Sequence, residues 1–323
     1  MTRVILDTDL AMGQPGSDID DGFALALAVA EPELHLELVT TVNGNTHVDR
    51  ATRLSVELLE RLGQDAVPVV RGSGRPLLRA TPASPTGAEG YQPPSAPSSS
   101  SGPGRAHAAE ELVRRVMQEP GALTVVAIGP LTNIALALAL EPRIAGAVAE
   151  IVVMGGVYLG HTGVAAMPGE FNFWVDPDAA ALVLDSGAPL RLVGLDVTRR
   201  VRLDREDVAR LRATGRGFAA FAADCTDEWI DHLERTSPGD DWDDGSSCAL
   251  HDPLAVAVVA RPDLVTWRPA HVSVERDSDR TRGVAVTDLL GSDQPPSANC
   301  VIAVDVDAEA FRSYFLDRVG TLP

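Results

Sequence analysis

The chain has 323 residues, of which 45% are hydrophobic, and it carries a formal charge of −19. This charge argues against a nucleic-acid or anionic-membrane partner, because both need basic surfaces. No apolar run approaches the roughly 20 residues of a membrane-spanning helix. Three scattered cysteines fit neither a disulfide framework nor a zinc site. We therefore expect a cytoplasmic protein with an aliphatic core and, because the first strand begins near residue 3, without a signal peptide.

An acidic turn follows the first predicted strand. Residues 4–6 are apolar, Asp7 and Asp9 come directly after them, and residues 18–21 add three more carboxylates. Five carboxylates within 15 residues repel one another in a cleft and shift one another's pKa. A cation relieves this repulsion, and an oxygen-only cluster suits calcium or magnesium. The alternative is a solvated acidic loop that caps the next helix.

Strands and helices alternate along the predicted chain. Strands are predicted at residues 4–6, 36–42, 67–71, 123–128, 151–154 and 190–197, and β-type alternation recurs at 272–275, 283–286 and 300–304. Helices are predicted at residues 23–30, 47–62 with Thr46 as cap, 105–119, from 133, from 177 with Asp176 as cap, over 203–236 in two pieces, from 251 and at 308–319. This pattern predicts an open, mainly parallel α/β sheet with helices on both faces.

Residues 81–104 interrupt the pattern. Sixteen of these 24 residues are Pro, Ser or Gly, and the α/β pattern resumes after them. We therefore expect one domain over residues 1–323 with an insertion at about 81–104, which is either a disordered segment or an active-site flap. Residues 237–247 form a second loop, rich in aspartate.

Polar residues recur where the predicted strands end and in two later loops. They are, in chain order, the acidic turn, Asn43 and Asn45, the turn after Ile128, Glu170 and Asn172, and His251 and Asp252. Each pair alone is more often structural, since a His-Asp pair commonly caps a helix and a loop Glu or Asn commonly bonds the local backbone. Parallel strands present their carboxyl ends at one edge of the sheet, where α/β folds bind ligands. We therefore expect these residues to form one site.

Six segments resemble motifs of the inosine–uridine-type nucleoside hydrolases. They are DTD at residues 7–9, DDGFA at 20–24, TTVNGN at 40–45, GPLTNIA at 129–135, MGG at 154–156 with EFN at 170–172, and HD at 251–252. The resemblance covers residues 3 to about 260. It implies that family's open α/β fold and hydrolysis of the N-glycosidic bond of a ribonucleoside to ribose and a free base, as in purine and pyrimidine salvage.

The resemblance also implies a role for each matched residue. Ca²⁺ would be bound by Asp9, Asp21, Asp252 and the main-chain carbonyl of Ile128. The catalytic residues would be Asp20, as general base for the attacking water, and His251, which would protonate or steady the leaving base. The ribose hydroxyls would be held by Asn45, Glu170 and Asn172. The family further suggests a homodimer or homotetramer. A carboxylate-rich pocket suits the oxocarbenium-like transition state of glycosidic cleavage.

Three features depart from the family pattern. Residues 10–19 separate DTD from DDGFA, where the family has only a few residues, so Asp18 is an extra carboxylate that either replaces or assists Asp9. Residues 161–166 lack the asparagine that often binds the 5′-hydroxyl. The His-Gly of many members is matched only by Thr86-Gly87, which leaves His251 as the one motif-matched histidine.

Two other functions stay open. A phosphatase with Asp7 as nucleophile and Asp9 as acid would normally also use a lysine, and all 27 basic residues of this chain are arginine. A non-catalytic or altered-specificity ribose- or nucleoside-binding protein could keep the metal site. The retention of Asp20 and His251 argues against such a loss of catalysis.

Overall fold

The computed structural model of the chain describes residues 1–79, 106–236, 246–289 and 296–323. Its strands are β1 (Thr2–Thr8), β2 (Leu34–Thr41), β3 (Val69–Arg71), β4 (Leu123–Ala127), β5 (Glu150–Met154), β6 (Leu190–Val193), β7 (Arg202–Asp204), β8 (Ser247–Ala249), β9 (Val265–Ala270), β10 (Val272–Val274), β11 (Ala285–Thr287) and β12 (Cys300–Val306). Its helices are α1 (Asp20–Ala30), α2 (Val48–Arg61), α3 (Ala108–Gln118), α4 (Thr132–Leu140), α5 (Ile144–Ala147), α6 (Phe171–Val175), α7 (Pro177–Leu184), α8 (Leu195–Thr198), α9 (Arg205–Ala213), α10 (Gly217–Thr236), α11 (His251–Ala260) and α12 (Ala308–Val319).

Within these ranges, eight strands form one sheet in the order β3-β2-β1-β4-β5-β6-β12-β9. Neighbouring strands of this sheet run parallel, apart from β12 and β9. The pairs β7-β8 and β10-β11 form two small antiparallel sheets. The predicted open, mainly parallel sheet is confirmed.

Alternate side chains of the strands pack against helices on the two faces of the sheet. In β1, Val4 and Leu6 belong to a buried cluster with residues of α1, α11 and α12. Ile5 points the other way, into a second cluster with residues of α3, α4 and α7. A parallel strand covered on both faces is apolar throughout, which is why the central strands were recognisable as short apolar runs.

Several predicted boundaries and one predicted cap were wrong, and the helix predicted at 105–119 begins at Ala108. The strand predicted at 190–197 ends at Val193, and α8 follows Gly194, which is packed against Tyr158 and turns the chain. The helix predicted from residue 23 already begins at Asp20. His47 rather than Thr46 caps α2, because its Nδ1 accepts a hydrogen bond from the Asp49 amide. Asp176 does cap α7, as predicted.

The short elements α5, α6, α8, β7, β8 and β9 were not predicted. α6 lies in what looked like a loop, and β9 is an edge strand that contains Pro269 and exposed side chains. The insertion at residues 81–104, with Thr86 and Gly87, lies outside the described residues, as does most of the acidic loop at 237–247. The single domain over residues 1–323 stays a prediction.

Candidate active site

The polar residues predicted at the strand ends do meet at one edge of the sheet. β1 lies between β2 and β4, so Asp9, Asn45 and Ile128 follow three adjacent strands. The chain winds outward from β1 in both directions, through β2 to β3 on one side and through β4 to β6 on the other. Loops diverge where the strand order reverses in this way, and the crevice between them is where such sheets bind ligands.

Three carboxylates come from the first turns of two helices that pack together. Asp20 and Asp21 begin α1, and Asp252 is the second residue of α11. One oxygen of each lies within 4.8 Å of the others, and all three residues are buried. The Asp252 amide donates a hydrogen bond to Asp20 Oδ2 over 3.3 Å. The N-cap residues of these helices are Ile19 and Leu250, without side-chain cap bonds, so this part of the turn is not a solvated cap.

Asp9 lies beside this group of three and is held by the loop after β2. The Asn45 amide donates to Asp9 Oδ2 over 2.6 Å, while Asn45 Nδ2 donates to Asp21 Oδ2 over 2.9 Å. A Cβ atom on Gly44 would lie 1.9 Å from Asp9 Oδ2, and one on Gly129 would lie 2.8 Å from Asp9 Oδ1. Asp9 Oδ1 is buried and has no hydrogen-bond partner. The backbone therefore encloses the carboxylate and leaves one oxygen for a ligand.

Burial and mutual repulsion raise the pKa values of these carboxyl groups. Burial contributes most for Asp9, Asp20 and Asp252, and neighbouring aspartates raise each pKa further, well above the usual range. Burial also raises the pKa of Asp21, against hydrogen bonds donated by the Thr8 hydroxyl and Asn45. Carboxyl groups in this state hold protons unless a cation replaces them. Oxygen-only donors and the unpartnered Asp9 oxygen fit a hard divalent cation such as calcium.

Asp18, the extra carboxylate of the long spacer, contacts the group through Asp20. Its Oδ1 accepts a hydrogen bond from the Ile19 amide over 2.7 Å. Its carboxyl group also lies within hydrogen-bonding distance of the Asp20 carboxyl group. Burial raises the pKa of Asp18 to about 6. Asp18 does not belong to the group of three that could hold a metal ion within the described residues.

Glu170 is the N-cap of α6 and is buried. Its Oε1 accepts a hydrogen bond from the Asn172 amide over 2.9 Å, and its Oε2 accepts bonds from the Gly156 amide over 2.9 Å and the Phe173 amide over 3.2 Å. Burial raises the pKa of Glu170 to about 7 in spite of these donors. Glu170 therefore does bond the local backbone, as expected for a structural loop residue. Its carboxyl group also lies at the edge of the sheet that carries the metal-site candidates.

Asn172 connects α6 to the carboxyl ends of β4 and β5. Its Nδ2 donates to the Ile128 carbonyl over 3.0 Å and to the Met154 carbonyl over 3.1 Å. A carbonyl oxygen has two lone pairs, so Ile128 can accept this bond and still ligate a cation. Asn172 thus fixes the one main-chain atom that was predicted to bind metal.

His251 is the first residue of α11 and is neutral at pH 7. Its Nδ1 lies 2.7 Å from Thr198 Oγ1. Burial, together with the charges of Arg199 and Arg202, lowers the pKa of His251 to about 3. When the threonine hydroxyl donates to Nδ1, Nε2 carries the ring hydrogen and can donate a hydrogen bond.

Asn133 is a structural residue of the site to which the motif gave no role. Its Nδ2 donates to Asp7 Oδ1 over 2.7 Å and to the Thr41 carbonyl over 3.0 Å, and its Oδ1 accepts from the Ser73 amide over 2.9 Å. Asp7 Oδ1 also accepts a bond from Thr40 Oγ1 over 2.5 Å. Asn133 therefore ties the ends of β1 and β2 to the loop after β3. The only indication of this role in the sequence was the position of Asn133 in the GPLTN motif.

The family model of the inosine-uridine preferring nucleoside hydrolases matches residues 4–313. The chain belongs to this family. The pyrimidine-specific ribonucleoside hydrolase RihA of Citrobacter koseri is 34% identical over 322 residues, which are 98% of this chain and 97% of the relative.

Solved nucleoside hydrolase structures share the fold over nearly the whole chain. The purine-preferring ribonucleoside hydrolase from Gardnerella vaginalis gives a TM-score of 0.83 at 30% identity and covers 99% of this chain and 98% of its own. An inosine-guanosine nucleoside hydrolase gives a TM-score of 0.80 at 27% identity and covers 100% of this chain and 99% of its own.

These comparisons confirm the resemblance and the enzyme class. The family and the relatives are ribonucleoside hydrolases, which are N-glycosidases. A phosphatase with Asp7 as nucleophile has no support among them. Among the described residues, no helix is both long enough and apolar enough to cross a membrane.

Proposed function

We propose that this protein hydrolyses the N-glycosidic bond of a ribonucleoside to ribose and a free base, with a calcium ion at the sheet edge. The ligands would be Asp9, Asp21, Asp252 and the Ile128 carbonyl. The observation that carries the proposal is the buried group of carboxylates beside an unpartnered Asp9 oxygen, because such a group needs a divalent cation to stay ionised. Membership of the family supplies the class of reaction.

When bound, calcium orients the ribose diol and lowers the pKa of the attacking water. Asp20 accepts the proton of that water in our proposal, since it belongs to the carboxylate group in the first turn of α1 and its raised pKa increases its basicity. Asp9 is the competing base. Both Asp20 oxygens already accept backbone hydrogen bonds, from Asp21 and Asp252, whereas Asp9 Oδ1 accepts none.

The remaining residues position the sugar and assist the leaving base. Asn45, Glu170 and Asn172 hold the ribose hydroxyls, which gives the bound sugar one orientation. The surrounding carboxylates stabilise the positive charge that develops on the ribose ring. Neutral His251 donates a hydrogen bond from Nε2 to the base as it gains electron density.

A panel of purine and pyrimidine ribonucleosides tests the proposal, since the relatives include both a pyrimidine-specific and a purine-preferring enzyme. Reducing sugar is measured with and without a chelator. We expect ribose release from at least one nucleoside, its loss on chelation and its return with calcium. Absence of ribose release from the whole panel would refute the proposal, and nucleoside binding by calorimetry without cleavage would favour the non-catalytic alternative.

Five variants assign the carboxylates. Asp20→Ala is expected to keep calcium and lose most turnover, while Asp21→Ala is expected to lose calcium. If Asp20→Asn is fully active and Asp9→Asn is inactive, Asp9 is the base instead. Asp18→Asn serves as the comparison, since it changes a carboxyl group that contacts Asp20 but lies outside the group of three. The cytoplasmic location and the homo-oligomer stay predictions.

A further inference from the structure

A buried arginine from the last quarter of the chain contacts both ends of α6. Arg282 lies in the turn between β10 and β11 and is 2% exposed. Its Nε donates a hydrogen bond to the Trp174 carbonyl over 2.6 Å, and a terminal guanidinium nitrogen donates to the Val175 carbonyl over 3.0 Å. Its own main-chain carbonyl accepts a bond from the Gly169 amide over 3.2 Å. One residue therefore bonds the backbone before α6 and the backbone at its end.

α6 needs such support because it is only five residues long. So short a helix is unstable by itself, and its last carbonyls lack partners within the helix. A guanidinium group at the C-terminus satisfies two of those carbonyls and places a positive charge at the negative end of the helix dipole.

The backbone around Arg282 fits closely against the same segment. A Cβ atom on Gly169 would lie 2.4 Å from the main-chain carbon of Gly283. A Cβ atom on Gly283, whose φ is +75°, would lie 2.6 Å from the Trp174 Cα. The turn itself is fixed to Glu275, whose carbonyl accepts a bond from the Gly283 amide over 2.8 Å. Arg282 is thus held rigidly where it meets α6.

Two of the three polar residues of the proposed ribose site lie on the supported segment. Glu170 follows Gly169 directly, and Asn172 lies two residues before Trp174. Asn172 in turn bonds the Ile128 carbonyl over 3.0 Å. Displacement of α6 would therefore move both of these proposed ribose-binding residues and, through Asn172, the hydrogen bond to the metal-ligand candidate Ile128.

We propose that Arg282 is a positioning residue that braces α6 at both ends and so holds Glu170 and Asn172 in their binding geometry. The proposal rests on the nucleoside hydrolase activity proposed above. It gives a function to the chain after about residue 260, where the sequence analysis found no motif of the site. Arg282 itself does not contact the substrate in this proposal.

Hydrogen exchange tests the brace without any substrate. Arg282→Met keeps the length of the side chain and removes its charge and donors. The matched control is Arg79→Met, because Arg79 is bonded to Asp178 of α7 through two nitrogens at 3.1 Å and does not bond α6. We expect amide exchange in a peptide covering residues 170–176 to become about ten- to a hundredfold faster in Arg282→Met, the equivalent of one charge-assisted hydrogen bond. Unchanged exchange in Arg282→Met, or equal acceleration in Arg79→Met, would refute the proposal that Arg282 stabilises α6.

Ribose-release kinetics then test the link to the site. We expect kcat/KM of Arg282→Met to fall by about ten- to a hundredfold, as for other residues that orient a site from behind it. Arg282→Lys should recover part of this loss, and Arg79→Met should change kcat/KM by less than about threefold, because Arg79 bonds α7 and not α6. In a Glu170→Gln background the effect of Arg282→Met should shrink, because both changes disturb the same segment. Full additivity of the two losses would refute the positioning role while the wild-type activity still stands. If the wild type cleaves no nucleoside, the exchange experiment alone tests whether Arg282 stabilises α6.

Discussion

Gly44→Ala adds a single methyl group beside the Asp9 carboxylate. Gly44 does not occupy the left-handed region of backbone space, so alanine can adopt its conformation and the effect is steric. The new Cβ atom would lie 1.9 Å from Asp9 Oδ2, and contacts of real Cβ atoms stay above 3.0 Å. Asp9 or the loop must therefore shift by about 1.1 Å, since Pro130 also closes the other side at 3.0 Å. The 2.6 Å bond from the Asn45 amide to Asp9 Oδ2 cannot survive this shift unchanged.

The expected effect is larger on activity than on stability. Overpacking of this kind costs about 1–3 kcal/mol of unfolding free energy. A displacement of about 1 Å in a binding or reacting group costs about a hundredfold in rate. We therefore expect kcat/KM to fall about a hundredfold and calcium affinity to weaken, in a protein that still folds.

The assay combines ribose release, calcium titration by calorimetry and denaturant unfolding. The control is Gly146→Ala in α5, where a Cβ atom would meet nothing within 4 Å. This change should leave activity intact and stabilise the helix by up to about 1 kcal/mol. Gly44→Ala with wild-type calcium affinity and wild-type kcat/KM would refute the view that the loop after β2 encloses a functional Asp9 carboxylate.

Three further predictions concern stability. Burial raises the pKa of Glu170 from 4.5 to about 7, so protonated Glu170 contributes its full stabilisation below pH 4.5. Up to about 3 kcal/mol of unfolding free energy is lost as the pH rises to 7. Denaturant titrations of chelated protein should show a weaker pH dependence in Glu170→Gln, and an unchanged pH dependence would contradict this cause. Asn133→Ala should cost about 2–3 kcal/mol by the same titration, because Asp7 and the Thr41 carbonyl lose a donor; a loss below about 0.5 kcal/mol would show that water replaces the amide. Calcium at a hundred times its Kd should add about 2.7 kcal/mol to the unfolding free energy, measured by melting with and without chelator, and Asp21→Ala should abolish this gain.

The part of the site that could be predicted depends on strand ends and short motifs. Asp9, Asn45 and Ile128 follow three apolar runs, and the carboxyl ends of parallel strands share one edge of a sheet. Their order in the sheet did not have to be known for this inference. The group formed by Asp20, Asp21 and Asp252 was foreseeable only through the family motif, since α1 and α11 are far apart along the chain.

What was missed depends on contacts between distant segments. α6 has too few residues for a periodic signal, and its backbone is bonded by Glu170 at one end and Arg282 at the other. β9 pairs with β12 at the edge of the sheet despite Pro269, which single-sequence patterns count against a strand. Likewise, nothing local distinguishes Gly44 from other turn glycines until Asp9 is placed against it.

The long spacer between Asp9 and Asp20 contains a turn that contacts α10, while Asp18 near its end contacts the Asp20 carboxyl group. Gly13 and Gly16 have φ values of 96° and 68° and turn the chain, and the loop rests against α10, where His232 meets Gly16. The relative placement of Asp9 and Asp21 is set instead by Asn45, which bonds both. These two hydrogen bonds join Asn45 directly to the carboxylates and include no residue of the spacer. The length of the spacer can therefore differ between members of the family while the bonds from Asn45 to Asp9 and Asp21 are kept.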